Sequence, residues 1–319
     1  MTYRQRELAR LTELAIERWP AQGARRPPYV LAPELARDNL LAGVRESALD
    51  YFDQHQIRWW LSTAEEAERA ALAALLRAPT GHLNSSQVAC VNHLEPARLD
   101  NELALAVARR LDPRVREVRD TGEGGFVAFE WIGDKSYLNE RGARTRGARL
   151  TSIDAIMRVT LDDDTPMLIL IEWKYTETYE KGREMRYADD GTDRVERYRK
   201  LIEAEDSPLL PGAPERLFYE PYEQLMRQTL LAAAVAADSE TPELTWVHVH
   251  VIPGENLELR TRVKQAVPLL EGNTLDETWQ GALRAPERYR VVTPSDVVPA
   301  SVPTSWAGWR RCLSGRYLT

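Results

Sequence analysis

Hydrophobic alternation is clearest between Thr151 and Glu177, TSIDAIMRVTLDDDTPMLILIEWKYTE. Two β-branched and aliphatic runs, Ile153 to Leu161 and Met167 to Ile171, flank the acidic, proline-containing turn Asp162-Asp163-Asp164-Thr165-Pro166, which predicts a β-hairpin. In the second run Met167, Ile169 and Ile171 alternate with Leu168 and Leu170, so both faces are apolar and the strand is expected to be central. Upstream, residues 1 to about 80 read as helical. Leu8, Leu11, Leu14 and Ala15 recur at helical spacing, Pro27-Pro28 breaks the chain, and Pro33 to Phe52 and Ala64 to Leu76 are amphipathic or alanine-rich. Ser85-Ser86 predicts the cap of a helix over Gln87 to His93, and Asn101 to Leu111 a helix closed by Asp112-Pro113. Gly122 to Gly125 reads as a turn and Phe126 to Gly133 as the first strand of a meander. Beyond the hairpin, Tyr179 to Glu205 is a charged surface excursion, Pro221 opens a helix to Ala237, and Thr245 to Ile252 is a further strand. Trp279, Trp306 and Trp309 suggest a packed C-terminal element, with Arg310 and Arg311 at its edge. The expected division is a helical N-terminal extension over residues 1–80, a core over 81–255, and a C-terminal extension over 256–319 packed on the core.

The hairpin also carries chemistry. A turn about Asp163 pairs residues whose numbers sum to 326, which sets Asp154 opposite Glu172 with Cβ atoms roughly 4.5–5.5 Å apart. Facing like charges destabilise a sheet unless a cation intervenes, and a divalent metal is the economical answer. Strand alternation puts Lys174 on the face of Glu172 and Trp173 on the other. Oxygen-only donors suit magnesium or manganese rather than zinc. The bland reading is a buried Asp–Lys or Glu–Lys pair on an ordinary sheet.

Asp154, followed after a hairpin-length gap by Glu172-Trp173-Lys174, resembles the PD-(D/E)xK nuclease superfamily, the restriction-endonuclease-like fold. Ser85-Ser86-Gln87, Arg146-Gly147 and the EWKYTE run resemble one bacterial subgroup, over roughly residues 80 to 255. The proline of the family's PD is absent, since Ile153 precedes Asp154. The resemblance implies an α/β fold with a mixed central sheet flanked by helices. It implies that Asp154 and Glu172 bind Mg²⁺ (or Mn²⁺) and that Lys174 positions or activates the attacking water. The expected activity is metal-dependent hydrolysis of phosphodiester bonds in nucleic acid, with DNA favoured. The alternative is a noncatalytic nuclease-fold protein serving in binding or assembly. The superfamily commonly adds an acid from the helix preceding the sheet, a role open to Glu102, although near a helix start Glu102 also serves the dipole. Glu130, beside Trp131 in the predicted first strand, can contribute to the site or sit at a solvent-facing edge. Gln224, Arg227 and Gln228 share one face of the helix after the ExK strand, where Gln228 or Arg227 can reach phosphate or water, or simply meet solvent. Many nucleases of this fold cut two strands as dimers, so a homodimer is open, though no self-complementary face is legible.

Charge narrows the partners. The formal net charge of −7 argues against a general polyanion binder, so a nucleic-acid surface must be local. Arg141, Arg144, Arg146 and Arg149 with Lys135 offset Glu140 alone just before the Asp154 strand, a loop suited to gripping phosphates or to pairing with surface acids. With two cysteines, no secretory h-region and no apolar run of spanning length, a soluble cytoplasmic protein is the default. Trp59-Trp60 reads as an apolar patch on the core or a stacking platform for bases. His55 and His82 have no ligand-spaced partner and read as structural. His248 and His250 share a strand face at a spacing that can chelate zinc or copper, but without a third ligand nearby a polar sheet face is the plainer reading.

Overall fold

The computed structural model describes residues 1–22, 27–69, 77–138, 140, 146, 150–179, 183–188, 191–262 and 271–317. Thr2 and Gln5 close a capping box that starts α1 (Tyr3–Arg18). The stretch from Pro33 divides into a 3₁₀ segment, Pro33–Asn39, and α2 (Arg45–Gln54), and α3 (Thr63–Arg69) follows. Ser85 accepts the Val88 N–H to begin α4 (Ser86–Leu99), which runs past His93, and Asp100 accepts the Leu103 N–H to begin α5 (Asn101–Leu111).

Six strands follow among the described residues: β1 (Val115–Arg119), β2 (Ala128–Trp131), β3 (Ile153–Leu161), β4 (Pro166–Trp173), β5 (Thr245–Val251) and β6 (Tyr289–Val292). Between β4 and β5 lie α6 (Arg194–Ile202) and α7 (Tyr222–Ala236); α8 (Leu257–Arg262) and α9 (Leu275–Gln280) precede β6, and α10 (Pro294–Val297) and α11 (Ala307–Tyr317) follow it. The sheet order is β1-β3-β4-β5-β6, and β2 also pairs with β3. One half of the long strand β3 pairs with β2, the other with β1, both antiparallel. β3 and β4 form the antiparallel hairpin, whereas β4, β5 and β6 are parallel. Asp163 closes the turn by accepting the Thr165 N–H at 3.0 Å, with Asp164 at φ +66°. Parallel β4 and β5 need a long crossover, which α7 supplies.

Strand parity divides the interior in two. Odd-numbered positions of the central strands, among them Ala155, Met157, Ile169, Ile171, Val247 and Val249, join a core with Leu11, Leu14, Val91, Leu94, Leu103, Val107 and Leu313 from the N- and C-terminal helices. Ile156, Leu168, Leu170 and Trp246 face the other way, against Leu225, Met226, Leu231 and Val235 of α7 and against Trp279 and Tyr289. The central strands are thus covered on both faces, in the mixed-sheet, helix-flanked α/β architecture that the resemblance implied. Two strands were not read from sequence: edge strand β1, and β6, which adds a C-terminal segment to the sheet.

Leu170 lies on central strand β4 and is fully buried beneath α7. Leu170→Ala is expected to destabilise the fold by about 2–5 kcal/mol through lost transfer energy and a residual cavity. Chemical denaturation measures this, and a cost below about 1 kcal/mol would contradict the packing described.

Candidate active site

Strand register brings the acidic residues abreast. Ala155↔Ile171 and Ile156↔Leu170 pair across the hairpin, and Asp154 and Glu172 are the next residues beyond that ladder, close enough for the Glu172 charge to act on Asp154. On the other side of β3, Phe129↔Ala155 and Trp131↔Ile153 bracket Glu130 against Asp154. Glu172 in turn pairs with His250 on β5. Glu130, Asp154 and Glu172 therefore occupy neighbouring positions on three adjacent strands. Glu130 is not the solvent-facing edge residue that the sequence allowed, since only 7% of it is exposed. Its φ of +47° is rare for a residue with a side chain, and such outliers concentrate at functional sites.

Glu172, 1% exposed, is held by a fixed set of donors. Its Oε1 accepts from Lys174 Nζ at 2.6 Å and Gln224 Nε2 at 2.8 Å, and its Oε2 accepts from Gln228 Nε2 at 2.5 Å. Lys174 Nζ also donates to Gln224 Oε1 at 2.8 Å and lies 5.7 Å from the Tyr179 ring centre. Gln224 and Gln228 reach the same carboxylate because residues four apart share a helix face. Asp154, half-buried, accepts the Trp173 N–H through Oδ2 at 2.7 Å, which leaves Oδ1 for a cation. Glu130 Oε1 accepts from Gln87 Nε2 at 2.7 Å, in the first turn of α4.

Charge is unevenly compensated here. Protein atoms crowd water away from Asp154, and with Glu172 and Glu130 beside it its pKa lies well above the ordinary carboxylate range. Burial first, then Glu172, outweighs the Gln87 and Ser152 hydrogen bonds and raises Glu130 to about 7. Burial opposes the charge on Lys174, yet the surrounding negative groups, Glu172 foremost, hold its pKa well above the usual lysine value. Its ammonium donates to both Glu172 and Gln224. A cation would offset the burial and mutual repulsion that keep Asp154 and Glu130 from ionising. Oε2 of Glu172 keeps one acceptor site for it, while Oε1 already accepts two hydrogen bonds. Among the described residues no group of three or more His, Cys, Asp and Glu side chains is arranged to hold a metal. A hard ion here would have Asp154 and Glu172 as its carboxylate ligands, with other oxygens completing its shell.

Other residues singled out by sequence fall differently. Gln228 joins the cluster, but Arg227 turns to Thr151 at 2.9 Å and Glu223 at 3.0 Å. Glu102 is exposed in the first turn of α5, as a helix-dipole partner would be. Arg146 is paired bidentately with Glu123, and Arg141, Arg144 and Arg149 lie outside the described residues. His55 packs on Tyr51, with ring centres 4.3 Å apart. His248 and His250 are fully buried beneath α7 rather than on an open polar face. Burial, then Lys174, lowers His248 to about 3 and His250 well below the usual histidine value, so both rings are neutral. His250 Nδ1 meets the Tyr289 hydroxyl at 2.9 Å. Gln87 and Gln224 were not read as site residues. The Ser-Ser-Gln motif and the i, i+4 glutamines on α7 were their only traces in the sequence.

A mixed sheet flanked by helices, with Asp154 and the Glu172–Lys174 pair on one hairpin, defines a restriction-endonuclease-like protein. The family model described as restriction endonuclease associating with ARP matches residues 12–318, and the chain belongs to that family. No curated protein and no solved structure matches it. No described helix is long and apolar enough to cross a membrane.

The raised carboxyl groups set a pH signature. Between the ordinary carboxylate value of 4.5 and about 7 the folded protein keeps on Glu130 a proton that the unfolded chain has lost. Stability contributed there falls as pH rises, with Asp154 acting in the same direction. In chelator, wild type is expected to lose stability relative to Glu130→Gln from about pH 5 to about pH 7.5. Melting of both proteins across that range checks this, and a constant difference would contradict it.

Proposed function

We propose that the protein is a metal-dependent nuclease that hydrolyses phosphodiester bonds in nucleic acid, with DNA the favoured substrate. The family suggests a nuclease. The observation that carries the finer reading is the meeting of Asp154 and Glu172 with the ammonium of Lys174 on one hairpin. Asp154 and Glu172 would hold Mg²⁺ or Mn²⁺. Such an ion neutralises charge on phosphate oxygens and lowers the pKa of bound water. Lys174 would orient water and stabilise negative charge developing on the phosphoryl oxygens. Gln224 and Gln228 fix the Glu172 carboxylate against rotation, and Glu130 adds acidity from the neighbouring strand. Arg141, Arg144 and Arg149 are proposed to steady the phosphate backbone, whereas Arg146 is engaged by Glu123.

One observation favours a second reading, a noncatalytic nuclease-fold protein for binding or assembly. Glu172 is buried and already satisfied by three donors, as in a structural ion pair. Turnover separates the two. With Mg²⁺ or Mn²⁺ and mixed DNA substrates, wild type is expected to cut and chelator to stop it. Lys174→Ala should lower the rate by roughly 10²–10³ while leaving metal binding in place. Asp154→Asn should instead raise the metal concentration needed. Equal cleavage by wild type and Lys174→Ala would reduce this lysine to a counter-ion. Absence of metal-dependent cleavage in wild type would favour the noncatalytic reading.

A further inference from the structure

Beside the acidic strands a cleft of about 330 Å³ is lined by Arg4, Tyr29, Trp60, His82, the 84–87 turn into α4, and Thr176 and Glu177. Its size lies in the range of small-molecule sites. Its rim holds an anomaly. All nine tryptophans are described and Trp60 alone is exposed, at 56%, although its neighbour Trp59 is buried and stacked on Phe52 at 3.8 Å. Trp60 meets His82 edge-on, with ring centres 5.7 Å apart, and Tyr29 meets His82 similarly at 6.3 Å, which gives the cleft an aromatic wall.

The wall is tied to the site by one side chain. Gln87 Oε1 accepts the Trp60 N–H at 2.9 Å, and Gln87 Nε2 donates to Arg58 O at 3.2 Å and to Glu130 at 2.7 Å. On the opposite side Asn84 Nδ2 donates to Thr176 Oγ1 at 3.0 Å, two residues past Lys174. The backbone that carries the indole is thus tied, through Gln87, to Glu130. The polar groups favour a base over a phosphate. Glu177, whose Oε2 accepts the Tyr175 N–H at 2.6 Å, would repel an anion and can accept from an exocyclic amine through Oε1, while Arg4 adds one cation to the lining.

We propose that this cleft takes one unpaired base of the nucleic acid, stacked on Trp60, so that the protein engages single strands or unpaired nucleotides in preference to continuous duplex. Bases stack on aromatic side chains with little regard to sequence, whereas a paired base is unavailable to such a cleft. The inference rests on the nuclease reading for its ligand class but has its own readout.

Binding is measured in chelator by fluorescence anisotropy with three labelled DNA probes: a single strand, a continuous duplex, and the same duplex with one unpaired base. Wild type is expected to bind the first and third at least roughly tenfold tighter than the second. Trp60→Ala should weaken those two by roughly tenfold to a hundredfold and erase the preference, while Trp60→Phe restores most of it. Trp60 is exposed, so these variants should melt as wild type does. A preference unchanged in Trp60→Ala, no preference in wild type, or no binding of any probe would overturn the proposal. Metal-dependent cleavage that loses Lys174 but ignores Trp60 would leave the nuclease reading standing without the cleft. Trp60-dependent binding with no cleavage under any metal would do the reverse.

Discussion

Like charges stripped of water within one sheet are the constraint on which this architecture turns. Glu130, Asp154 and Glu172 sit at neighbouring positions on β2, β3 and β4, and the hairpin register leaves none of them free to move away. The fold answers with Lys174, just past the end of β4, and with groups drawn from distant parts of the chain: Gln224 and Gln228 from α7, and Gln87 from α4. These donors satisfy Glu172 better than Asp154 or Glu130, whose carboxyl groups stay reluctant to ionise. An arrangement that is costly without a cation is one that a cation can stabilise.

The scaffold makes that crowding tolerable. Apolar residues cover the central strands on both faces, so their register cannot slip without exposing a core. Polar residues gather where the strands end and the cores give way to α4 and α7. Glutamine suits these positions, since it donates to a carboxylate without adding a charge that would compete with Lys174 or a metal.

Much of this was legible in sequence for a physical reason. Side chains alternate strictly along a strand, so the turn at Asp163 was enough to bring Asp154 and Glu172 together at the end of the ladder and Lys174 onto the Glu172 carboxylate. The strand at Thr245 and the helix after Pro221 followed from periodicity as readily. What escaped depended on contacts remote in sequence. Val115–Arg119 and Tyr289–Val292 are short and carry arginines, so they gain strand structure from the edges they join rather than from pattern. The inward turn of Glu130 needs a backbone conformation that composition does not announce. Trp59 and Trp60 are alike in sequence and opposite in environment, because Phe52 covers one and the cleft leaves the other open. Burial of His248 and His250 likewise reflects α7 and Tyr289 closing over them.

The central claim is that Asp154 and Glu172 together form a seat for a hard divalent ion. Crystals grown with Mn²⁺, with anomalous diffraction recorded at the manganese edge, test it most directly. The account predicts an anomalous peak bounded by the carboxylates of Asp154 and Glu172, absent from crystals of Asp154→Asn. A wild-type map without a peak at that position, or with manganese bound only elsewhere, would contradict it.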